Sequence, residues 1–249
     1  MAIVIRTPQE IEKMRRSGIA LRAVLDAVRD AVVVGSTTMD LERVAEAKIA
    51  EVGGVSAFKG YHGYPRMLCT SINSEVVHGI PSKKNKLRDG DLVSIDCGVV
   101  IDGYYSDSAI TVPVGRVAVQ AEKLLAVTEA SLQSAIQSIR AGVHLGDVGA
   151  AVQNVVEAAG FSVVREFVGH GIGTSMHEDP QVPNYGQRGI GMKLREGMVL
   201  AIEPMVNVGK PEVRVLEDGW TAVTVDGSLS AHFEHTVAVT ADGAQVLTA

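Results

Sequence analysis

Leu92-Val93-Ser94-Ile95-Asp96-Cys97-Gly98-Val99-Val100-Ile101-Asp102-Gly103-Tyr104-Tyr105-Ser106-Asp107-Ser108-Ala109-Ile110-Thr111-Val112 is the stretch on which the fold turns. Two β-rich runs, Leu92–Val100 and Tyr104–Val112, flank Asp102-Gly103, a dipeptide that tolerates the positive φ angles of a tight hairpin. With those two residues as the turn, facing positions sum to 205, so Asp107 faces Gly98, and Asp96 lies two residues from Gly98 on the same face. Asp96 and Asp107 are then diagonal neighbours across the strand pair, within reach of one shared ion. Unpaired, two such carboxylates repel and at least one pKa rises; a cation between them removes the conflict. The alternative at this point is an Asp turned to solvent at a strand end.

A second stretch echoes the first. Arg88-Asp89-Gly90-Asp91-Leu92-Val93-Ser94-Ile95-Asp96 resembles Arg195-Glu196-Gly197-Met198-Val199-Leu200-Ala201-Ile202-Glu203 at one constant offset, Arg88 answering to Arg195 and Asp96 to Glu203. Each copy runs from a basic-acidic-Gly turn through an apolar strand to a carboxylate. Two halves packed around a pseudo-twofold axis would give this pattern. So would chance, because turn-plus-strand patterns are common.

Outward from these segments, helices alternate with strands. Thr7-Pro8-Gln9-Glu10 is a helix start with a capping box and Pro at the first helical position, followed by Ile11, Met14, Leu21, Val24, Leu25 and Val28 at helical spacing. Thr37 and Asp40 open a second helix that ends at Gly53-Gly54. A third is expected over Ala118–Arg140 and a fourth over Gly146–Ala159, stopped by Gly160. Further strands are expected at Met198–Val206, Val213–Leu216, Thr221–Val225 and Ser230–Val239, with turns at Gly219 and Asp226-Gly227. No linker or low-complexity tract divides the chain. The expectation is one α+β domain over residues 1–249, with helices and a largely antiparallel sheet.

Composition narrows the class. Of 249 residues, 46% are hydrophobic and 21% charged, which excludes a disordered chain, a collagen and a disulfide scaffold. The formal net charge of −6 makes the protein a poor non-specific ligand for nucleic acid or anionic membrane. Only Cys69 and Cys97 are present, which suits a reducing compartment. The start, Met1-Ala2-Ile3-Val4-Ile5-Arg6, has too short an apolar run for a signal peptide, and no stretch has the apolar length of a membrane span. A cytoplasmic protein is expected.

Three residues of the second half join the Asp pair as candidates for chemistry. His170 sits in Phe167-Val168-Gly169-His170-Gly171-Ile172-Gly173, where glycines permit close approach by a ligand. Glu203 ends an apolar run and precedes Pro204, so it is expected to be buried and to need a partner. Glu234 lies in Ala231-His232-Phe233-Glu234-His235-Thr236. Four carboxylates balance two divalent ions, and carboxylates bridge ions roughly 3.5–4 Å apart. An oxygen-rich set with one imidazole suits Mn, Fe or Co, with Zn also allowed. Competing chemistries lack their patterns. There is no C-x-x-C, no G-x-S-x-G, no phosphate loop and no dinucleotide fingerprint, and Gln181 stands where a zincin helix starting at His177-Glu178 needs its second His.

As a set, these segments closely resemble the type I methionine aminopeptidases of the bacterial kind. The matching segments are Gly60-Tyr61-His62-Gly63-Tyr64-Pro65, Ser71-Ile72-Asn73, His78-Gly79-Ile80-Pro81, Ser94-Ile95-Asp96, Gly169-His170-Gly171-Ile172-Gly173, Ile202-Glu203-Pro204-Met205 and Glu234-His235-Thr236. They keep the family's order and span nearly the whole chain. The resemblance implies a pita-bread fold, in which two pseudo-symmetric α/β halves enclose a dinuclear metal site, and with it the chance reading of the repeat falls away. It implies that Asp107 and Glu234 bridge both metals, that Asp96 chelates one, and that His170 and Glu203 complete the other. It implies removal of the initiator methionine from nascent polypeptides with a small second residue, by metal-activated water attacking the first peptide carbonyl. Glu203 is then the proton shuttle, His177 the stabiliser of the developing oxyanion and His78 a hydrogen-bonding partner of the substrate backbone.

The resemblance also places the methionine pocket at Phe58, Tyr61, Tyr64, Cys69, Met176 and Trp220, with His78 and His177 beside the substrate. Two positions depart from the commonest bacterial pattern: Phe58 stands where a small or sulfur residue is frequent, and Met176 where an aromatic is frequent. Both stay apolar, so methionine should still fit while pocket-directed inhibitors bind differently. The chain lacks the long segment between His170 and Glu203 that marks the type II enzymes, and the zinc-binding extension of eukaryotic type I enzymes. A monomer is the family default, and a transient contact with the ribosome suits an enzyme of nascent chains, although no motif encodes it. Two other readings stand beside this one. A proline-specific exopeptidase on the same fold would cut Xaa-Pro and usually carries a large N-terminal domain. A non-catalytic binding relative would typically lose ligand positions, whereas all five are present here.

Overall fold

In the computed structural model, which describes residues 3–249, Asp102 and Gly103 take φ angles of 51° and 78°, both in the left-handed region that a tight two-residue hairpin demands. The strands they join are paired through ten successive partners from Leu92↔Pro113 to Ile101↔Tyr104, and every pair sums to 205. The register read from the Asp-Gly turn is the register of the folded chain.

The first half runs α1 (Pro8–Asp30), α2 (Thr38–Glu51), β1 (Val55–Ser56), a 3₁₀ turn (Tyr61–Gly63), β2 (Leu68–Ile72), β3 (Glu75–Val77), β4 (Leu92–Ile101) and β5 (Tyr104–Pro113). The second begins with α3 (Val119–Ser138), α4 (Leu145–Ala158), β6 (Ser162–Val163), β7 (Gly169–Gly171), β8 (Glu178–Val182), β9 (Val199–Ile202) and β10 (Met205–Asn207). It closes with β11 (Val213–Val215), β12 (Ala222–Thr224), β13 (Ser230–His232), β14 (His235–Val239) and β15 (Ala244–Val246). The capping box predicted for α1 forms: Thr7 Oγ1 accepts from Glu10 N–H, while the Glu10 carboxylate accepts from Thr7 N–H at 2.8 Å.

The offset that relates Arg88 to Arg195 extends far beyond the two turn-strand copies. α2 and α4 start and end at that same offset, Thr38 answering to Leu145 and Glu51 to Ala158. So do the isolated bridges Thr37↔Lys86 and His144↔Lys193, and the pairings Val55↔Val100 and Ser162↔Asn207. The cores repeat too. In the first, Leu41, Ala45 and Ile49 of α2 pack with Val93, Ile95 and Val99 of β4. In the second, Val148, Val152 and Val156 of α4 pack with Leu200, Ile202 and Val206, each the counterpart of its predecessor in that order. At about 1.5–3 kcal/mol for each large apolar side chain removed from water, each half carries its own stabilising core.

Two sequence expectations need correction. The strands do not form one largely antiparallel sheet; all pairings are antiparallel, but they make sheets of four, three, three and five strands. Met198–Val206 and Ser230–Val239 are likewise not continuous strands. The first breaks at Glu203-Pro204 into β9 and β10, and the second at Phe233-Glu234 into β13 and β14. β9 pairs β14 in the five-stranded sheet, whereas β10 pairs β13 in a three-stranded one. Pro204 has no N–H for a ladder, so the chain turns from one sheet to the other there. The two breaks lie opposite each other, and each carries a carboxylate.

Candidate metal centre and substrate cavity

Asp96 and Asp107 come from the β4–β5 hairpin of the first half, at the partners Asp96↔Ala109 and Gly98↔Asp107. Gly98 between them has no spare room: a Cβ there would meet the Phe58 ring and the Ala57 Cβ at 2.8 Å. Its bare backbone lets Phe58 reach the cavity wall. Glu203 and Glu234 come from the two facing breaks of the second half, and His170 from β7, opposite Ala201. Hydrogen bonds stitch the halves together behind these groups. Asp107 N–H donates to Thr236 Oγ1 at 3.0 Å and Thr236 Oγ1–H donates to Asp107 O at 2.8 Å. Ser108 Oγ–H donates to Glu234 O at 2.6 Å, and Glu234 N–H donates to Ala109 O at 2.9 Å. β5 and the break before β14 are thereby held side by side.

Ligand atoms of Asp107, His170 and Glu234 lie within 4.8 Å of one another. His170 Nδ1–H donates to Gly171 O at 2.8 Å, which leaves Nε2 as the ring nitrogen facing Asp107 Oδ2 at 3.8 Å and Glu203 Oε1 at 3.6 Å. Asp96 and Asp107 are close enough to share a proton. Oδ1 of each, and Oε1 of Glu234, are buried without a hydrogen-bond partner. Among the described residues no lysine or arginine pairs with any of the four carboxylates. Burial above all pushes every one up, Asp96 to about 7, and repulsion from neighbouring carboxylates adds to it at Asp107, Glu203 and Glu234, which lie well above the usual carboxylate range. Burial pulls His170 down to about 3, so its imidazole is neutral and free to ligate. Four buried acids, three of them with an orphaned oxygen, around one neutral imidazole fit divalent cations.

These groups form one end of a cavity of about 150 Å3. Its other end is apolar: Phe58, Tyr64, Cys69 and Met176 are buried there, with Tyr61 and Trp220 packed against them. Tyr64 OH donates to Leu68 O at 2.8 Å, and its ring meets Trp220 edge-on at 5.0 Å. His78 and His177 stand between the two ends. His78 holds φ +62°, unusual for a residue with a side chain, and its ring meets Phe167 edge-on at 5.4 Å. His177 lies 4.2 Å from His170, ring centre to ring centre, and its Nδ1 is 2.7 Å from Tyr61 OH. All thirteen residues singled out in the sequence line this one cavity.

Three contacts behind the cavity are not foreseen by the sequence reading. His232, buried at the end of β13, has Nε2 without a partner and 3.9 Å from Glu203 Oε2. Thr236 clamps the backbone of Asp107. Arg6 reaches far along the chain to Glu178, with 2.6 Å to Oε2, and Glu178 also accepts from the N–H groups of Thr174 and Ser175. That ion pair fixes the loop bearing Met176 and His177. A long-range pair of this kind follows only from the three-dimensional arrangement.

Fold and site together are those of a metal-dependent hydrolase. The model of metallopeptidase family M24 matches residues 12–241, and the chain belongs to that family. It is 49% identical over 246 residues to the methionine aminopeptidase of Clostridium perfringens, covering 99% of this chain and 98% of the relative. It is 47% identical over 249 residues to that of Escherichia coli K12, covering 100% and 94%. The crystal structure of methionine aminopeptidase from Thermotoga maritima superposes with a TM-score of 0.98 at 49% identity, over 99% of each chain. The prolidase of Pyrococcus horikoshii shares the pita-bread fold at 22% identity and a TM-score of 0.78, and this chain covers 63% of it.

Proposed function

We propose that this chain removes the N-terminal methionine from polypeptides whose second residue is small, using two divalent cations held by Asp96, Asp107, His170, Glu203 and Glu234. The observation that carries this reading is the shape of the cavity: carboxylates at one end, an apolar sulfur- and aromatic-lined end at the other, and two histidines between. A volume of about 150 Å3 is that of a cavity able to hold a benzene-sized group, which is enough for one unbranched thioether side chain.

When bound, the cations supply Lewis acidity and make water a nucleophile near neutral pH. The chain's own residues do the rest. Glu203 accepts the proton of the attacking water and passes it to the leaving amine. Tyr61 OH, kept protonated by burial, donates to His177 Nδ1. This fixes the tautomer with the proton on Nε2, aimed at the oxygen where charge develops. His78, held neutral by burial with its pKa down at about 4, hydrogen-bonds the substrate backbone. Phe58, Tyr64, Cys69, Met176 and Trp220 enclose the side chain.

We read residues 1–249 as one catalytic unit, because each half supplies part of the ligand set. A nascent-chain substrate argues for a cytoplasmic enzyme, a monomer in transient contact with the ribosome, with cobalt, manganese, iron or zinc as the cation. Two buried free cysteines suit that compartment. The described residues contain no helix long and apolar enough to cross a membrane. The reading is tested by comparing Met-Ala-Ser, its N-acetylated form and an Xaa-Pro peptide with Mn²⁺-loaded protein. Cleavage of the first alone is expected. Preference for the Xaa-Pro peptide overturns the substrate assignment, and cleavage of the acetylated peptide overturns recognition of a free amine.

A further inference from the structure

The repeat assigns a place to a histidine that the proposed reaction does not use. In the first half Asp107 faces Gly98 across the hairpin; in the second, His232 faces Met205 across β10 and β13. Gly98 and Met205 are counterparts at the offset of the repeat, so His232 occupies the place that Asp107, one of the five residues facing the proposed cations, holds in the first half. Its backbone is held in place by that first half: Thr111 Oγ1 accepts from His232 N–H at 2.9 Å and donates to His232 O at 2.8 Å. The ring is 2% exposed, and its Nε2 has no partner. The two oxygens of Glu203 are divided between two imidazoles: Oε1 lies 3.6 Å from His170 Nε2, and Oε2 lies 3.9 Å from His232 Nε2.

We propose that His232 is a positioning residue for Glu203: its Nε2–H takes Oε2 in a hydrogen bond and thereby reserves Oε1 for the face shared with His170. The inference rests on the metallopeptidase reading above and deepens it. The 3.9 Å gap is too short to admit a bridging water, and a small side-chain rotation closes it to hydrogen-bond length. No other acceptor within hydrogen-bond distance competes for this nitrogen. A carboxylate ligand whose free oxygen is hydrogen-bonded keeps its orientation, and loss of such a partner typically costs about 10–100-fold in metal affinity.

The test compares His232→Leu, which removes the donor, with His232→Gln, whose amide nitrogen reaches the same place. Chelator-stripped proteins are titrated with Co²⁺ and followed by absorption, and kcat and KM are then measured on Met-Ala-Ser. The expected result is Co²⁺ binding about 10-fold weaker in His232→Leu, with a comparable fall in kcat and KM within about twofold, and return to within about threefold of wild type in His232→Gln. Binding and kcat in His232→Leu equal to wild type overturn the proposal. His232→Gln as impaired as His232→Leu overturns the donor role. A wild type that takes up no Co²⁺ overturns the metal reading and this inference with it, whereas a wild type that binds but fails on Met-Ala-Ser removes the substrate assignment alone. If His232→Leu does not fold, ¹⁵N-histidine NMR of the Zn²⁺-loaded wild type decides: a slowly exchanging proton on Nε2 of His232 is expected, and an unprotonated Nε2 overturns the proposal.

Discussion

Asp107 shows how much a single residue is asked to tolerate. Burial, Glu234 and Asp96 all push its carboxyl up. Asp107→Asn removes one of these mutually repelling acids. Without metal at pH 8 it should raise Tm by a few degrees, the effect of about 1 kcal/mol in a chain this size, while Mn²⁺ should no longer raise Tm as it does in wild type. Thermal unfolding with chelator and with Mn²⁺ checks both halves of that statement; a stripped variant less stable than stripped wild type would sink it. Tyr61→Phe removes the donor that sets the His177 tautomer and should lower kcat up to about tenfold with Co²⁺ affinity unchanged, measured by the same titration and steady-state kinetics. The Asp96–Asp107 pair was legible from the sequence because an Asp-Gly turn fixes register, and register fixes which side chains are neighbours. His232 was not. In sequence it is one residue of an alternating strand, and its place becomes apparent only when the second half is laid on the first.

The elements that carry the site are held by contacts remote in sequence. Arg6, just before α1, holds Glu178 at the start of β8, and both side chains are nearly buried. Arg6→Ala leaves the Glu178 carboxylate without its counter-charge, at a cost of about 3–5 kcal/mol in stability, and loosens the loop that presents Met176 and His177. Denaturant unfolding should show the loss, and kcat/KM on Met-Ala-Ser should fall while Co²⁺ binding stays within about twofold; unchanged stability would mean the pair is dispensable. The helices and the β4–β5 hairpin were readable because capping residues, terminal glycines and the Asp-Gly turn are local chemistry. β1, β6 and β7 were not, since two or three residues are too few to show a period. The runs through Glu203 and Glu234 read as continuous strands because their apolar pattern continues across the break, and only the change of pairing partner reveals the turn.

At the scale of the molecule, two halves meet at a cluster of acids that neither would bury alone, and pH should expose the consequence. Asp96 has its pKa raised from 3.8 to about 7, and Asp107, Glu203 and Glu234 lie well above their ordinary values. Groups raised in the folded state bind more protons folded than unfolded. Their stabilisation is full at low pH and is lost as pH rises through the folded values. His170 and His232 at about 3, and His78 at about 4, act oppositely, but only below 6.5, where the unfolded imidazoles begin to charge. Chelator-stripped protein should therefore lose stability from pH 6.5 to 8, and Mn²⁺ should abolish that loss. Denaturant midpoints at both pH values, with and without metal, test it, and a flat or rising profile in the stripped protein contradicts it. The internal repeat was visible in one turn-strand pair, whereas its reach through helices, bridges and cores shows only in the folded chain, because core positions repeat in size and apolarity more than in identity. The most direct measurement is release of methionine from Met-Ala-Ser by chelator-stripped protein before and after Mn²⁺ or Co²⁺ is added. Release should be absent before and restored by metal in proportion to the metal bound. Full release from protein shown to be free of metal, or metal uptake that restores none, would contradict the assignment of this cavity as a metallopeptidase site for N-terminal methionine.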